Sequence, residues 1–261
     1  MSKTEAIIFD LDNTLLWDER SIDEAFEAVC RSASAESGVD AMKLEQAVRL
    51  AAEELFASME IYEWARQIEV TYLEALWGRF ESELHPSLIK LKRLAPLYRQ
   101  EAWTCGLRRA GVDDAELGRK LGDQFADERR NRPLVYADTF DVLNRLRGRY
   151  RLLLLTNGAP DLQQEKVDSI PGLAGCFEHI VISGTFGAGK PDPAIFKHAM
   201  GLLKLPAEQC LMVGDNPDTD IKGALEIGMP CAWINHKRRP ASSGRRPTYE
   251  IGSLSALLDI V

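Results

Sequence analysis

The second part of the chain alternates between predicted strands and predicted helices, and this alternation constrains the fold more than any other feature. From Pro133 onward, short apolar runs alternate with longer segments whose apolar residues recur at helical spacing. Such alternation is typical of a parallel sheet covered by helices on both faces. The predicted strands are Tyr150–Leu155, His179–Ile182, Cys210–Val213 and Cys231–Ile234, and the predicted helices are Asp138–Arg147, Asp161–Asp168, Pro193–Leu203, Thr219–Ile227 and Ser253–Val261.

One more strand precedes this pattern and is separated from it by a long helical region. Ala6–Phe9 is a short apolar run typical of a buried strand. From Asp18 to about Arg132 the chain is predicted to be almost entirely helical, with a break at Gly111-Val112-Asp113. A crossover between parallel strands needs only about a dozen residues or slightly more, so we predict an inserted second domain. The predicted domains are an α/β core of residues 1–16 and 133–261 and an all-helical domain of residues 17–132.

The composition is that of an ordinary globular protein and disfavours several classes. The chain has 261 residues, of which 45% are hydrophobic and 28% charged. No apolar run is long enough for a transmembrane helix, and the N-terminal residues lack the apolar segment of a signal peptide. The net charge of −8 disfavours nucleic acids and anionic membranes as partners. The five cysteines are widely spaced, which disfavours disulfides or a zinc site. We therefore expect a cytoplasmic protein, and its oligomeric state stays open.

Acidic residues, a hydroxyl group and a lysine are predicted to meet at one edge of the sheet. In open parallel sheets, ligands bind outside the carboxyl ends of the strands. Asp10 and Asp12 follow the first strand with one residue between them, so their side chains project the same way. Two like charges that close resist joint ionisation unless a cation or hydrogen bonds compensate them. The polar residues at predicted strand ends, or in the loops beside them, are Asp10, Asp12, Thr156, Asn157, Lys190, Asp215 and Asp220.

This combination of groups indicates phosphoryl chemistry. Carboxylate oxygens are the ligands that suit Mg²⁺. A metal ion together with Lys190 would neutralise a phosphoryl group during its transfer, and Thr156 would donate to one of its oxygens. One carboxylate can act as the nucleophile, while another protonates the leaving oxygen and later activates water.

Four short motifs occur in the chain: Asp10-Leu11-Asp12-Asn13-Thr14, Thr156-Asn157-Gly158, Gly189-Lys190-Pro191 and Gly214-Asp215-Asn216-Pro217-Asp218-Thr219-Asp220. They resemble the motifs of the haloacid dehalogenase-like hydrolase superfamily, in the family's order and over nearly the whole chain. Each motif alone is a weak signal, but four in order form a specific one. The resemblance implies an α/β Rossmann-like core, with a helical cap domain inserted after the first motif.

The resemblance also implies a role for each residue of the first three motifs. Asp10 is implied to be the nucleophile and a Mg²⁺ ligand. Asp12 is implied to be the general acid/base, and to bind Mg²⁺ through its backbone carbonyl. Thr156 and the backbone N–H of Asn157 are implied to bind the phosphoryl group. Lys190 is implied to stabilise both the nucleophile and the transferring phosphate.

The fourth motif supplies the remaining acids. Asp215 is implied to be a Mg²⁺ ligand. Asp220 is implied to be either a Mg²⁺ ligand or an acceptor that contacts the ligands, and we favour the second role. Mg²⁺ is therefore the cofactor that the resemblance implies.

Asp12 distinguishes between activities within the superfamily. Dehalogenases of this family lack an acid there, so the resemblance favours a phosphatase acting on a small phosphorylated metabolite. The substrate classes that stay open are phosphoserine, phosphoglycolate, nucleoside monophosphates and sugar phosphates. A phosphoglucomutase-like phosphotransferase is the main alternative. More remote alternatives are a non-catalytic protein that binds a phosphorylated ligand and a haloacid dehalogenase.

Two other sequence features suggest functions that we do not favour. Gly184–Lys190 nearly matches a nucleotide-binding loop, but Pro191 occupies the position of the Ser or Thr that would hold Mg²⁺. The basic residues Lys237, Arg238, Arg239, Arg245 and Arg246 are predicted to lie in a solvated loop.

Overall fold

The computed structural model describes residues 3–238 and 246–261, and its centre is a six-stranded parallel sheet. The strands are β1 (Ala6–Phe9), β2 (Arg151–Thr156), β3 (His179–Ile182), β4 (Cys210–Gly214), β5 (Cys231–Ile234) and β6 (Tyr249–Ile251). Their order in the sheet is β3-β2-β1-β4-β5-β6. The predicted parallel sheet is therefore confirmed, and it has the Rossmann-like character that the resemblance implied.

Strand β1 lies at the centre of the sheet because all four of its residues are apolar and buried. It pairs with β2 on one side and β4 on the other, so that Phe9 is in register with Leu154 and Val213. Alternate residues point to opposite faces of a strand. Ile7 and Phe9 accordingly pack in one hydrophobic cluster, while Ala6 and Ile8 pack in another.

The helices of the α/β part lie on both faces of the sheet. The helices that alternate with the strands are α7 (Thr139–Leu146), α8 (Pro160–Asp168), α9 (Ser183–Phe186), α10 (Pro193–Leu203) and α11 (Lys222–Glu226). Apolar residues of α7 pack in the cluster that contains Phe9, and those of α10 pack in the cluster that contains Ile8.

The end of the chain differs from the predicted pattern in two ways. The sequence does not predict β6, in which only one of three side chains is buried. The helix predicted over Ser253–Val261 is instead a 3₁₀ turn over Ser255–Asp259. Leu254 and Leu257 are both fully buried, and their spacing of three matches the 3₁₀ repeat rather than that of an α-helix.

The chain divides into two compact units. The first comprises Met1–Asp18, Leu134–Gly158 and Gln163–Val261, and the second comprises Glu19–Pro133 and Ala159–Leu162. The alternation of strands and helices assigned the last of these segments to the α/β part. Ala159 and Leu162 are instead buried in the hydrophobic cluster of the helical unit.

Six helices form the second unit around an aromatic core. Phe26, Trp103 and Phe125 pack together with ring centroids 4.4 to 5.8 Å apart. The helices are α1 (Asp18–Ser37), α2 (Ala41–Ala57), α3 (Tyr62–Gln67), α4 (Tyr72–Ala75), α5 (Pro86–Arg109) and α6 (Ala115–Arg130). Gly106 allows α2 and α5 to approach closely, because a Cβ there would lie 2.3 Å from the Val48 side chain.

Two further expectations from the sequence concern membrane-spanning helices and the cluster of basic residues. Within the described ranges, no helix has the length and apolarity needed to span a membrane. Lys237, Arg238 and Arg246 are exposed, as expected for a solvated loop, whereas Arg239 and Arg245 lie outside the described residues.

Candidate active site

Five predicted site residues meet around the carboxyl ends of β1, β2 and β4. Asp10 follows β1, Thr156 ends β2, and Asp215 follows β4. Lys190 comes from the loop before α10 and Asp220 from a short π-helix (Pro217–Ile221) before α11, and both are almost completely buried. The parallel arrangement of the strands explains this convergence, because the carboxyl ends of all of them point to one edge.

Lys190 connects two of the acids. Its Nζ donates to Asp10 Oδ1 at 2.6 Å and to the Leu155 carbonyl at 2.8 Å, and it lies 2.7 Å from Asp220 Oδ1. These three contacts match the three hydrogens of an ammonium group. Burial lowers the pKa of Lys190, but the Asp10 and Asp220 carboxylates outweigh it, so the pKa is raised above its ordinary value. Lys190 is therefore a permanent positive charge beside Asp10.

Asn157 fixes the position of Lys190 rather than offering its side chain to a ligand. Its Nδ2 donates to the Lys190 carbonyl, and its Oδ1 accepts from the Lys190 N–H, both at 2.9 Å. The next residue, Gly158, donates its N–H to Ser183 Oγ at 2.9 Å. The residues after β2 are thus tied by hydrogen bonds to the segment beyond β3, at Ser183 in α9 and at Lys190 in the loop before α10.

Three carboxylates form a cluster that could hold a metal ion. Asp10, Asp215 and Asp220 each offer an oxygen, and these atoms all lie within 4.8 Å of one another. Burial raises the pKa of Asp10 to about 7, although Lys190 opposes the shift. Burial, with the Asp10 and Asp220 charges, raises the pKa of Asp215 to about 8. One lysine therefore compensates only part of the negative charge, and the donor set fits a hard divalent cation.

The π-helix after β4 brings Asp220 back over the strand end. Asp220 Oδ2 accepts the N–H of Asn216 at 3.1 Å, while its Oδ1 faces Lys190. Gly214 allows this approach, since a Cβ there would lie 2.2 Å from Asp220 Oδ2. Any larger residue at position 214 would displace a buried charge.

Asp12 lies beside two residues that the sequence motifs did not indicate. Gln163 Nε2 and Lys166 Nζ donate to Asp12 Oδ2 at 2.9 and 2.8 Å. Gln163 Nε2 also donates to Thr156 Oγ1 at 2.6 Å. Both residues belong to α8, one helical turn apart. The signal that could have revealed them is a pair of polar residues at i and i+3 in the helix after Thr156.

Comparison with known proteins gives the class that this fold and site define. The model of the haloacid dehalogenase-like hydrolase family matches residues 4–228. The chain therefore belongs to the haloacid dehalogenase-like hydrolases, and the predicted family is confirmed.

The relatives narrow this class further. The chain is 37% identical over 249 residues to a phosphoserine phosphatase of Thermus thermophilus, covering 95% of each chain. It is 29% identical over 259 residues to the N-acylneuraminate-9-phosphatase of Mus musculus, covering 98% of this chain and 93% of that one. The chain is accordingly a phosphatase-type hydrolase that acts on phosphate monoesters, as predicted.

A solved structure shares the fold over the full length. The HAD-hydrolase YfnB from Bacillus subtilis, crystallised with magnesium, aligns with a TM-score of 0.66 and 21% identity. The alignment covers 99% of each chain.

Proposed function

We propose that this protein is a Mg²⁺-dependent phosphatase that hydrolyses small phosphate monoesters through an aspartyl-phosphate on Asp10. The observation that carries the proposal is the position of the Asp10 carboxylate. It lies 2.6 Å from the Lys190 ammonium and within one carboxylate cluster with Asp215 and Asp220. A carboxylate held between a fixed cation and a potential metal site is suited to attack phosphorus, because the charge on the incoming phosphoryl oxygens is compensated there.

We propose that three groups hold Mg²⁺, namely the side chains of Asp10 and Asp215 and the backbone carbonyl of Asp12. Asp220 serves behind them, since Lys190 and the Asn216 N–H already contact its two oxygens. A bound Mg²⁺ supplies positive charge beside the transferring phosphoryl group. The residues that handle the substrate are otherwise those of the protein itself.

The first step of the proposed mechanism transfers the phosphoryl group to Asp10. A carboxylate oxygen of Asp10 forms a bond to phosphorus as the ester P–O bond breaks. Asp12 gives its proton to the departing alkoxide, which leaves as an alcohol. Thr156, the Asn157 N–H and Lys190 stabilise the phosphoryl oxygens during this transfer.

The second step regenerates the enzyme. A water molecule attacks phosphorus and gives a proton to Asp12, the bond between phosphorus and Asp10 breaks, and inorganic phosphate leaves. Asp12 must therefore be protonated before the first step and ionised before the second, whereas Asp10 must be ionised to attack phosphorus. These different requirements are the reason for assigning separate roles to Asp10 and Asp12.

A phosphate-release screen tests the proposal and narrows the substrate. The panel contains phosphoserine, N-acylneuraminate 9-phosphate, phosphoglycolate, nucleoside monophosphates and sugar phosphates, ranked by kcat/KM. We expect turnover that stops on chelation and returns with Mg²⁺. Turnover of glucose phosphates only with a bisphosphate primer, and without phosphate release, would favour the phosphotransferase instead.

The proposed partner is a small phosphorylated metabolite rather than a nucleic acid, and the proposed location is the cytoplasm.

The metal site has a further test that does not depend on activity. The pKa of Asp10 is raised from 3.8 to about 7, and that of Asp215 from 3.8 to about 8. As the pH rises between the ordinary and the raised pKa, each of these carboxyl groups ionises in the unfolded chain but stays protonated in the folded chain. The two groups therefore lower the stability of the metal-free protein as the pH rises through this range. Mg²⁺ binds the ionised carboxylates of the folded chain. We therefore expect Mg²⁺ to raise the Tm by more at pH 8 than at pH 5.

Thermal unfolding in chelator and in excess Mg²⁺ measures this difference at each pH. The Asp215→Asn variant is expected to lose most of the Mg²⁺-dependent shift. An equal shift at both pH values, or an unchanged shift in the variant, would contradict the assignment of the metal site.

A further inference from the structure

Gln163 and Lys166 form a bracket around one oxygen of Asp12. Gln163 is fully buried, and Lys166 is only 4% exposed. Both donate to Asp12 Oδ2, from Nε2 at 2.9 Å and from Nζ at 2.8 Å. Two independent side chains thus converge on the same atom of the proposed general acid/base.

A lysine in this position is costly unless its charge is used. Taking an ammonium group out of water carries a penalty that only well-placed anions offset. Lys166 has two such anions, since its Nζ also lies 3.7 Å from Asp18 Oδ1. A salt bridge that only supported the fold would not require Gln163 to share the same carboxylate oxygen.

Gln163 links Asp12 to the proposed phosphate site. Its Nε2 carries two hydrogens, and it donates to both Asp12 Oδ2 and Thr156 Oγ1, the latter at 2.6 Å. The Thr156 oxygen accepts this bond, and its own hydrogen is donated to the Asn157 carbonyl at 3.4 Å. A single amide therefore fixes the distance between the acid/base and a phosphate-binding hydroxyl.

We propose that Gln163 and Lys166 are positioning residues that hold Asp12 so that Oδ1 is the oxygen that exchanges the proton. This inference rests on the proposed function, in which Asp12 protonates the leaving alkoxide and then accepts a proton from water. Gln163 Nε2 and the Lys166 ammonium are donors only, so Oδ2 cannot carry a proton while both contact it. Oδ2 remains the acceptor of both bonds when Oδ1 is protonated, although both bonds are stronger to the ionised carboxylate. The bracket therefore keeps the carboxyl group in one orientation through both steps.

The rates of the two steps can be measured separately when p-nitrophenyl phosphate is the substrate. p-Nitrophenolate leaves without needing a proton, so the first step does not depend on a positioned Asp12. Hydrolysis of the aspartyl-phosphate still does. In Lys166→Met and Gln163→Ala we expect a stopped-flow burst of p-nitrophenolate at a rate within about threefold of wild type, followed by steady-state turnover reduced about 30- to 100-fold. KM falls with kcat, because the phosphoenzyme accumulates.

Two controls separate positioning from a structural effect. Gln164→Ala removes the adjacent glutamine, which bonds Asp168 instead, and is expected to leave both phases unchanged. Lys166→Arg keeps a donor and is expected to recover turnover to within about tenfold of wild type. With phosphoserine, whose alkoxide needs a proton, Lys166→Met is expected to show no burst and slow turnover throughout.

Equal losses in the burst rate and in steady-state turnover would overturn the proposal, as would an unchanged steady state in folded Lys166→Met. A loss explained by unfolding alone would also overturn it, and circular dichroism at the assay temperature detects that case. Failure of the proposed function looks different. Wild-type enzyme would then form no acid-stable aspartyl-phosphate that can be trapped, and Asp10→Asn would retain turnover.

Discussion

Replacing Asp10 by asparagine lowers turnover of p-nitrophenyl phosphate in Mg²⁺ by about four orders of magnitude or more. The expected loss is this large because the amide has no charged oxygen with which to attack phosphorus. Asp10 is 7% exposed, and an asparagine there still offers an oxygen that can accept from Lys190. The variant is therefore expected to fold, and the effect should fall on kcat.

The matched control is Asp141→Asn, an exposed acid in α7 whose side chain is 69% exposed and lies 3.8 Å from Arg145. We expect its activity to equal that of wild type. The second measurement is acid quenching during turnover, which traps a phosphoenzyme in wild type and none in Asp10→Asn. Residual turnover near the wild-type rate would remove Asp10 from the role of nucleophile.

Lys190→Met is expected to reduce both stability and activity. The substitution leaves Asp10 and Asp220 buried without the cation between them, and breaking a buried pair in this way typically costs about 3–5 kcal/mol. The same change removes the fixed positive charge beside the phosphoryl group, so we expect kcat to fall about 10³-fold. Urea unfolding at pH 8 measures the first effect, and p-nitrophenyl phosphate turnover the second.

Lys197→Met provides the comparison, because Lys197 is exposed in the neighbouring helix α10. A surface substitution of this kind is expected to change stability by less than about 0.5 kcal/mol and to leave kcat unchanged. Similar unfolding curves for the two variants would show that the Lys190 charge contributes little to the fold.

The sheet could be predicted from the sequence because its central strands are buried on both faces. Such strands are continuous apolar runs with polar residues directly after them, as in Ala6–Phe9 followed by Asp10. The edge strand β6 lacks this signal, since Tyr249 and Glu250 are not buried. The pattern of an edge strand depends on only one neighbour, so three residues carry too little information.

The predicted site residues differ from the missed ones in what determines their positions. Strand ends converge by topology alone, so Asp10 and Thr156 could be placed together without coordinates. Gln163 and Lys166 reach Asp12 only because of the rotation of α8 about its axis. That rotation depends on how the side chains of the helix pack, which local spacing does not determine.

The reciprocal hydrogen bonds between the Asn157 amide and the Lys190 peptide have a consequence for where the free energy of site assembly comes from. The side chain of Asn157 pairs with the main chain of Lys190 as a neighbouring strand would, which joins two segments distant in sequence. The entropy of ordering the lysine loop is therefore lost during folding and not at substrate binding. Binding energy is then available for the reaction itself. Substitutions that loosen this pairing should consequently weaken the enzyme for every substrate to the same extent, and so leave its preference among them unchanged.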